Sequence, residues 1–178
     1  FYRRVLAIAV PILIHNAITN FVSLLDNIMV GQVGTTQMSG VSIANNLIFV
    51  FNLCIFGGSA GAGIFIAQYH GCGDHQSIRY TFRFKFLLCL VLGILGCGLF
   101  YLGGDTLIRL YLQGDGSPEE AALILRHGMD YLLIMLIGLV PFALSNAYSS
   151  TLRECSQAVM PMLAGIVAVF VNLILNYV

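Results

Sequence analysis

Asp26 lies inside an apolar run, residues 5–30 (VLAIAVPILIHNAITNFVSLLDNIMV), that is long enough to cross a lipid bilayer. A helix needs ~20 apolar residues to span the hydrocarbon core. An ionisable side chain near its middle costs on the order of 3 kcal/mol by insertion scales, so it is usually turned to a cavity or a partner. At about 100° per residue, Asn16, Thr19, Asn20, Ser23, Asp26 and Asn27 share roughly one third of the helix circumference, and apolar side chains cover most of the rest. A carboxylate on such a stripe has two uses. It can carry a proton, its pKa raised by desolvation, or it can supply the anionic oxygen of a sodium site. The rival reading is a solvated interfacial aspartate. Ile28, Met29 and Val30, which continue the apolar pattern past it, speak against that.

Near the other end of the chain, Asn172 and Asn176 are four residues apart and so stack on one helix face. Two carboxamides can coordinate a cation, or they can hydrogen-bond to a neighbouring helix, a contact worth ~0.6 kcal/mol in membranes. Asn146, flanked by Ser145, Ser149 and Ser150, offers a third amide oxygen. Hard cations take oxygen ligands, so Asp26, Asn172 and Asn176 form a candidate sodium set. Sodium and proton chemistry both remain open for Asp26.

These residues require an all-α, polytopic membrane bundle to hold them. Hydrophobic residues make up 58% of the chain and charged residues 9%, against roughly a quarter charged in a soluble domain. The spacing predicts a polar turn at 31–37 and a second helix over 38–68, with a small-residue run at 57–63 that permits close helix packing. Residues 69–85 are the most polar segment and are expected outside the hydrocarbon, with His70, Asp74 and His75 simply solvated. A third span is expected over 86–101, with room to reach back to Phe82, and then a connector at 103–120 whose residues 107–112 read as a short helix on the membrane surface. Ser117-Pro118-Glu119-Glu120 reads as the start of a fourth helix, 118–152. Pro11 and Pro141 lie inside helices and are candidate bending points. A turn at LRECSQ, containing Arg153 and Glu154, leads to a fifth span from about Ala158. Arg126 and Asp130 read as a surface ion pair.

Several classes are excluded on composition and motif. Lys and Arg together number eight, as do Asp and Glu, so there is no basic surplus for nucleic acid. The five cysteines show no metal-ligand spacing and read as small apolar fillers. Gly61 and Gly63 have no strand to follow and make no phosphate loop, and no paired acids or activated nucleophile point to an enzyme. No cofactor is expected. No cleavable leader is apparent, and the chain begins without Met, which suggests a piece of a longer protein. With five alternating spans, Arg3, Arg4, Arg79, Arg83, Lys85 and Arg153 gather on one side, and only Arg109 and Arg126 on the other. That bias predicts a cytoplasmic amino end.

Taken in order, Pro11, then Asp26 followed by GQVG at 31–34, the glycine-rich stretch closing in AQYHGCGD, Leu152-Arg153 before Pro161, and VNLILNY at 171–177 resemble the amino-terminal half of a MATE (multidrug and toxic compound extrusion) transporter. The resemblance covers nearly the whole chain and implies that 1–178 is one incomplete amino-terminal transmembrane bundle. It implies five helices of a six-helix amino-terminal lobe, with the sixth helix and a carboxy-terminal lobe beyond this stretch. It implies a plasma-membrane antiporter that exports drug-like or cationic small molecules in exchange for Na+ or H+ by alternating access. Asp26 would be the cation-coupling group, completed by Asn146, Asn172 and Asn176. Some relatives carry aspartate where this chain has Asn176, which lowers the site's charge and leaves the ion open. Glu154-Cys155-Ser156 replaces a glycine-containing turn and reads as a loop variation. The alternatives are a lipid-linked oligosaccharide flippase of the same superfamily, whose cavity would need basic residues for phosphate, and a membrane subunit that transports nothing.

Overall fold

The computed structural model describes residues 2–31, 34–112 and 117–177; the side chains of residues 2–5, 7, 8, 15, 25, 26, 30, 173 and 175–177 lie outside that description. The described residues form the helices α1 (Tyr2–Gly31), α2 (Thr35–Cys72), α3 (His75–Tyr111), α4 (Pro118–Glu154) and α5 (Val159–Tyr177). Four of them contain stretches long and apolar enough to cross a membrane, and α5 is a shorter apolar helix.

The helices outrun the expected spans because helical structure does not stop where the hydrocarbon does. α2 has 38 residues and α3 and α4 have 37 each. At 1.5 Å per residue each is about 55 Å long, well beyond the ~30 Å hydrocarbon core. The segment 69–85 is accordingly not a long turn. α2 continues to Cys72, and Gly73 reverses the chain in the left-handed conformation (φ 73°) that glycine adopts without steric cost. Asp74 then caps α3, accepting from the Ser77 hydroxyl at 2.6 Å and from the amides of Gln76 and Ser77 at 3.1 Å. These bonds, the Ser77 hydroxyl foremost, hold its carboxyl below the usual carboxylate range.

Residues 107–112 are corrected in the same way. They form the last turns of α3 and the residue after it, not a helix lying on the membrane, because Ile108 is fully buried against Gly128 and Leu132 of α4. The start of α4 is as expected, with Pro118 in its first turn and the Ser117 hydroxyl accepting from the Glu120 amide. Its end is not. Leu152, Arg153 and Glu154 are helical, so the turn to α5 is confined to 155–158. Arg126 and Asp130 are both exposed and form no ion pair; the i,i+4 pair at this end of the bundle is Arg109 with Asp105, 2.7 Å apart. α1 and α4 run unbroken through Pro11 and Pro141.

Short connections make successive helices antiparallel, so α2 and α4 run in the same direction with α3 against both. These three pack on one another around Ile48, Phe51 and Ile55 of α2, Cys89, Phe100 and Ile108 of α3, and Leu132, Leu139 and Ala143 of α4. α1 packs mainly on α5. The seam between α2 and α4 is set by glycine: a Cβ on Gly40 would stand 2.8 Å from the Gly128 nitrogen and the Ile124 oxygen, both backbone. Large apolar side chains cover the exterior, among them Leu13, Leu95, Leu99, Leu102, Ile134 and Ile137, as a lipid-facing surface requires. The cysteines divide: Cys89 is a buried filler, whereas Cys54 and Cys72 are exposed.

Candidate functional site

Asn16 and Thr19, three residues apart on the polar stripe of α1, turn the same way and line a cavity of about 530 Å³ together with Ile12. The opposite wall is α4. Ser145, Asn146, Ser149 and Arg153 recur there at helical spacing, with Phe142 above them and Phe56 of α2 closing the side. An apolar exterior thus encloses a hollow lined with hydroxyls, amides and one guanidinium. That is the surface a polar solute needs in order to sit between membrane helices.

Asn146 is 7% exposed, and its side-chain oxygen has no hydrogen-bond partner among the described residues. A buried carbonyl left unpaired costs about 1–3 kcal/mol, so this position favours whatever donor enters beside it. Next to it, two hydroxyls of α4 have partners. The Ser150 hydroxyl donates to the Asn146 backbone carbonyl at 2.7 Å or shares a 2.9 Å contact with the Ser59 hydroxyl of α2, and Thr151 donates to the Ala147 backbone carbonyl at 2.8 Å. Further along the seam Tyr131 donates to Asn45 at 3.2 Å.

Of the residues expected at a cation site, the structure places Asn146 on the cavity wall. Asn172 is half-buried on α5 and does not line this cavity. The side chains of Asp26 and Asn176 lie outside the described residues, so the set Asp26, Asn172 and Asn176 stays an expectation. Asp26 does have a fixed register on α1. It follows Thr19 by seven residues, close to two full turns, and so falls on the same face further along the helix. Pro11 is half-buried one residue before Ile12, and Pro141 lines a shallow depression against α5 with Met160 and Pro161. No group of three metal-ligating His, Cys, Asp or Glu occurs among the described residues.

The sequence reading missed an ion pair. Lys85, taken for a loop cation, is fully buried, and its ammonium donates to both oxygens of Glu154 at 2.8 and 2.9 Å. Glu154 belongs to the last turn of α4, not to a variable loop. A side chain on Gly63 of α2 would run into its carboxylate. The partners are 69 positions apart, beyond the reach of any helical periodicity. What could have flagged them is Lys85 opening an unbroken apolar run, where a cation needs a counter-ion.

Helices with an apolar outer surface and polar groups turned inward define a multi-pass, integral-membrane helix bundle. The MatE family model matches residues 11–178, and the chain belongs to that family. It is 25% identical over 98% of its length to the probable multidrug resistance protein NorM of Thermotoga maritima, 27% identical over 99% to the probable NorM of Rhizobium meliloti, and 24% identical over 99% to the multidrug resistance protein MdtK of Pectobacterium atrosepticum. The chain spans only 36–37% of the length of these relatives. No solved structure matches it.

Proposed function

We propose that this chain is most of the first helical bundle of an efflux transporter that exports drug-like or cationic molecules in exchange for Na+ or H+. The observation that carries the reading is the polar cavity between α1 and α4, holding an unsatisfied Asn146 oxygen inside an otherwise lipid-compatible bundle. The relatives named as multidrug resistance proteins supply the solute class. A sixth helix and a second bundle would complete the molecule, which would alternate access by rocking one bundle against the other.

Asp26 is assigned the coupling role. Its register on the cavity-facing stripe of α1 supports this, and Asn172 and Asn176 are the amide oxygens that would complete a sodium site. Ion and solute must then disfavour each other, and the coupling is reciprocal in their affinities. The basic residues Arg79 and Arg83, beside the α2–α3 turn, support a cytoplasmic amino end.

The test is drug accumulation in cells expressing the complete gene, wild type against Asp26→Asn, with sodium and pH gradients imposed separately. The account expects efflux driven by one gradient and abolished by the substitution. Unchanged drug resistance would leave the polar groups as helix contacts in a non-transporting subunit. Selective movement of a lipid-linked sugar would make the protein a flippase.

A further inference from the structure

On the outer face of the α2–α3 pair, away from the cavity, a groove of about 560 Å³ runs between Gly57 and Gly61 of α2 and Tyr80, Phe84 and Leu88 of α3. Its floor is closed, because Gly58 lies so near α3 that an added Cβ would stand 3.3 Å from both Leu88 and Leu92. Its α2 wall is bare. A Cβ on Gly57 or Gly61 would meet nothing, so the hollow is open to whatever surrounds the bundle. Leu88 belongs to the apolar run that follows Lys85, whereas Tyr80 belongs to the polar stretch 69–85. These two are about 12 Å apart along α3, enough to reach from the headgroup region into the hydrocarbon.

The polar end of the groove carries a cation. The Arg83 guanidinium lies over the ring of Tyr80, 5.9 Å from its centroid, and so stands at the groove's mouth. Arg83 is exposed and makes no hydrogen bond or ion pair among the described residues. The carboxylate nearest to it in sequence, Asp74, is held in the α3 cap by Gln76 and Ser77. Gln68, exposed seven residues beyond Gly61 and so on the same face of α2, adds an amide donor at that end. We propose that this groove binds an anionic phospholipid, one acyl chain lying on the bare backbone at Gly57 and Gly61 and the phosphate paired with Arg83. An apolar hollow alone would accept any tail; the unpaired cation at one end selects the charge. The rival occupant is another helix, since small residues four apart admit close packing. The exposed rings of Phe65, Tyr80 and Phe84 rise beside those glycines and hold off a cylinder of about 10 Å diameter, but a flexible chain threads between them. The site does not depend on the transport reading.

Phe84→Trp places a fluorescent reporter in the groove, and Ile137→Trp places one on the α4 exterior; residues 1–178 contain no native tryptophan, and any in the remainder of the complete protein are replaced by phenylalanine. The protein is held in bilayers mixing phosphatidylcholine and phosphatidylglycerol, and quenching is read with brominated chains on one lipid or the other. At Phe84→Trp phosphatidylglycerol should be favoured about fivefold. At Ile137→Trp the two lipids should quench alike. Adding Arg83→Gln should bring the ratio at Phe84→Trp to one while brominated phosphatidylcholine still quenches, which also shows the groove intact, and Arg83→Lys should keep most of the preference. Gly61→Leu, which fills the bare wall, should lower quenching by both lipids at Phe84→Trp and leave Ile137→Trp as it was. The proposal is overturned if the groove shows no preference, if the preference survives Arg83→Gln, or if Gly61→Leu changes nothing. It is equally overturned if inorganic phosphate at constant ionic strength removes the preference, since the site would then take the free anion. A reporter at Phe84→Trp shielded from both lipids also overturns it, because protein would then cover the groove.

Discussion

The Asn146 side chain shows how a single amide can be costly to the fold and useful to the site. Its oxygen is buried without a donor, and replacement by leucine removes that penalty while closing part of the polar wall. In the complete protein Asn146→Leu is expected to leave thermal stability in detergent unchanged or slightly raised and to reduce drug efflux several-fold; a loss of stability with efflux intact would remove Asn146 from the site. Asn146 was legible in the sequence because it stands among hydroxyls inside an apolar helix. Lys85 and Glu154 were not, because each sits close to other charges in the sequence, Arg83 and Arg153, and only the packing of α3 on α4 reveals that they meet. Removing one partner of a buried pair leaves an uncompensated charge, typically at a cost of about 3–5 kcal/mol, whereas replacing both with apolar groups is often neutral. Glu154→Ala should therefore lower thermal stability sharply, and the double variant Lys85→Met/Glu154→Leu should recover most of it. Equal losses in the two would show that the pair contributes only packing.

At the scale of the elements, the existence and order of the helices followed from apolar runs, and their ends did not. Residues 69–85 looked like a loop, and 107–112 like a separate helix on the membrane surface, because hydropathy reports the membrane, while the backbone hydrogen-bond ladder continues into the aqueous region until a cap such as Gly73 intervenes. The small-residue run at 57–63 was read as a packing surface, and only part of it serves as one. Ser59, Ala62 and Gly63 are buried, but a Cβ on Gly57 or Gly61 would meet nothing. The closest backbone approach is at Gly40 and Gly128, each isolated in sequence. Gly40→Ala should destabilise the bundle by about 1–3 kcal/mol through a clash with backbone that cannot rotate away. Gly61→Ala should be neutral or stabilising by up to about 1 kcal/mol. Detergent melting curves of the two variants decide this, and similar midpoints would contradict the assigned seam.

For the molecule as a whole, the arrangement is a tight three-helix core of α2, α3 and α4 with the α1–α5 pair set against it, and the polar cavity lies between the two groups. Hydropathy could announce the spans but not this grouping, because helix partners inside lipid are chosen by small residues and buried polar pairs scattered over distant positions. The same grouping gives the site its character: groups on α1 and on α4 face each other across a hollow that any relative movement would reshape. The account depends on that hollow being wet and reachable by solute. In the complete protein, with every native cysteine replaced by alanine, Cys54, Cys72, Cys89, Cys97 and Cys155 among them, single cysteines at Thr19→Cys and Ser149→Cys can be compared with Leu13→Cys and Ile137→Cys, whose native side chains are 65% and 79% exposed on the apolar exterior. Because thiolates form and react only where water reaches them, a charged, membrane-impermeant thiosulfonate should label the two cavity positions rapidly, more slowly when a transported drug is present, and leave the two exterior positions almost untouched. Labelling at Thr19→Cys and Ser149→Cys as slow as at Leu13→Cys and Ile137→Cys, with no protection by drug, would contradict it.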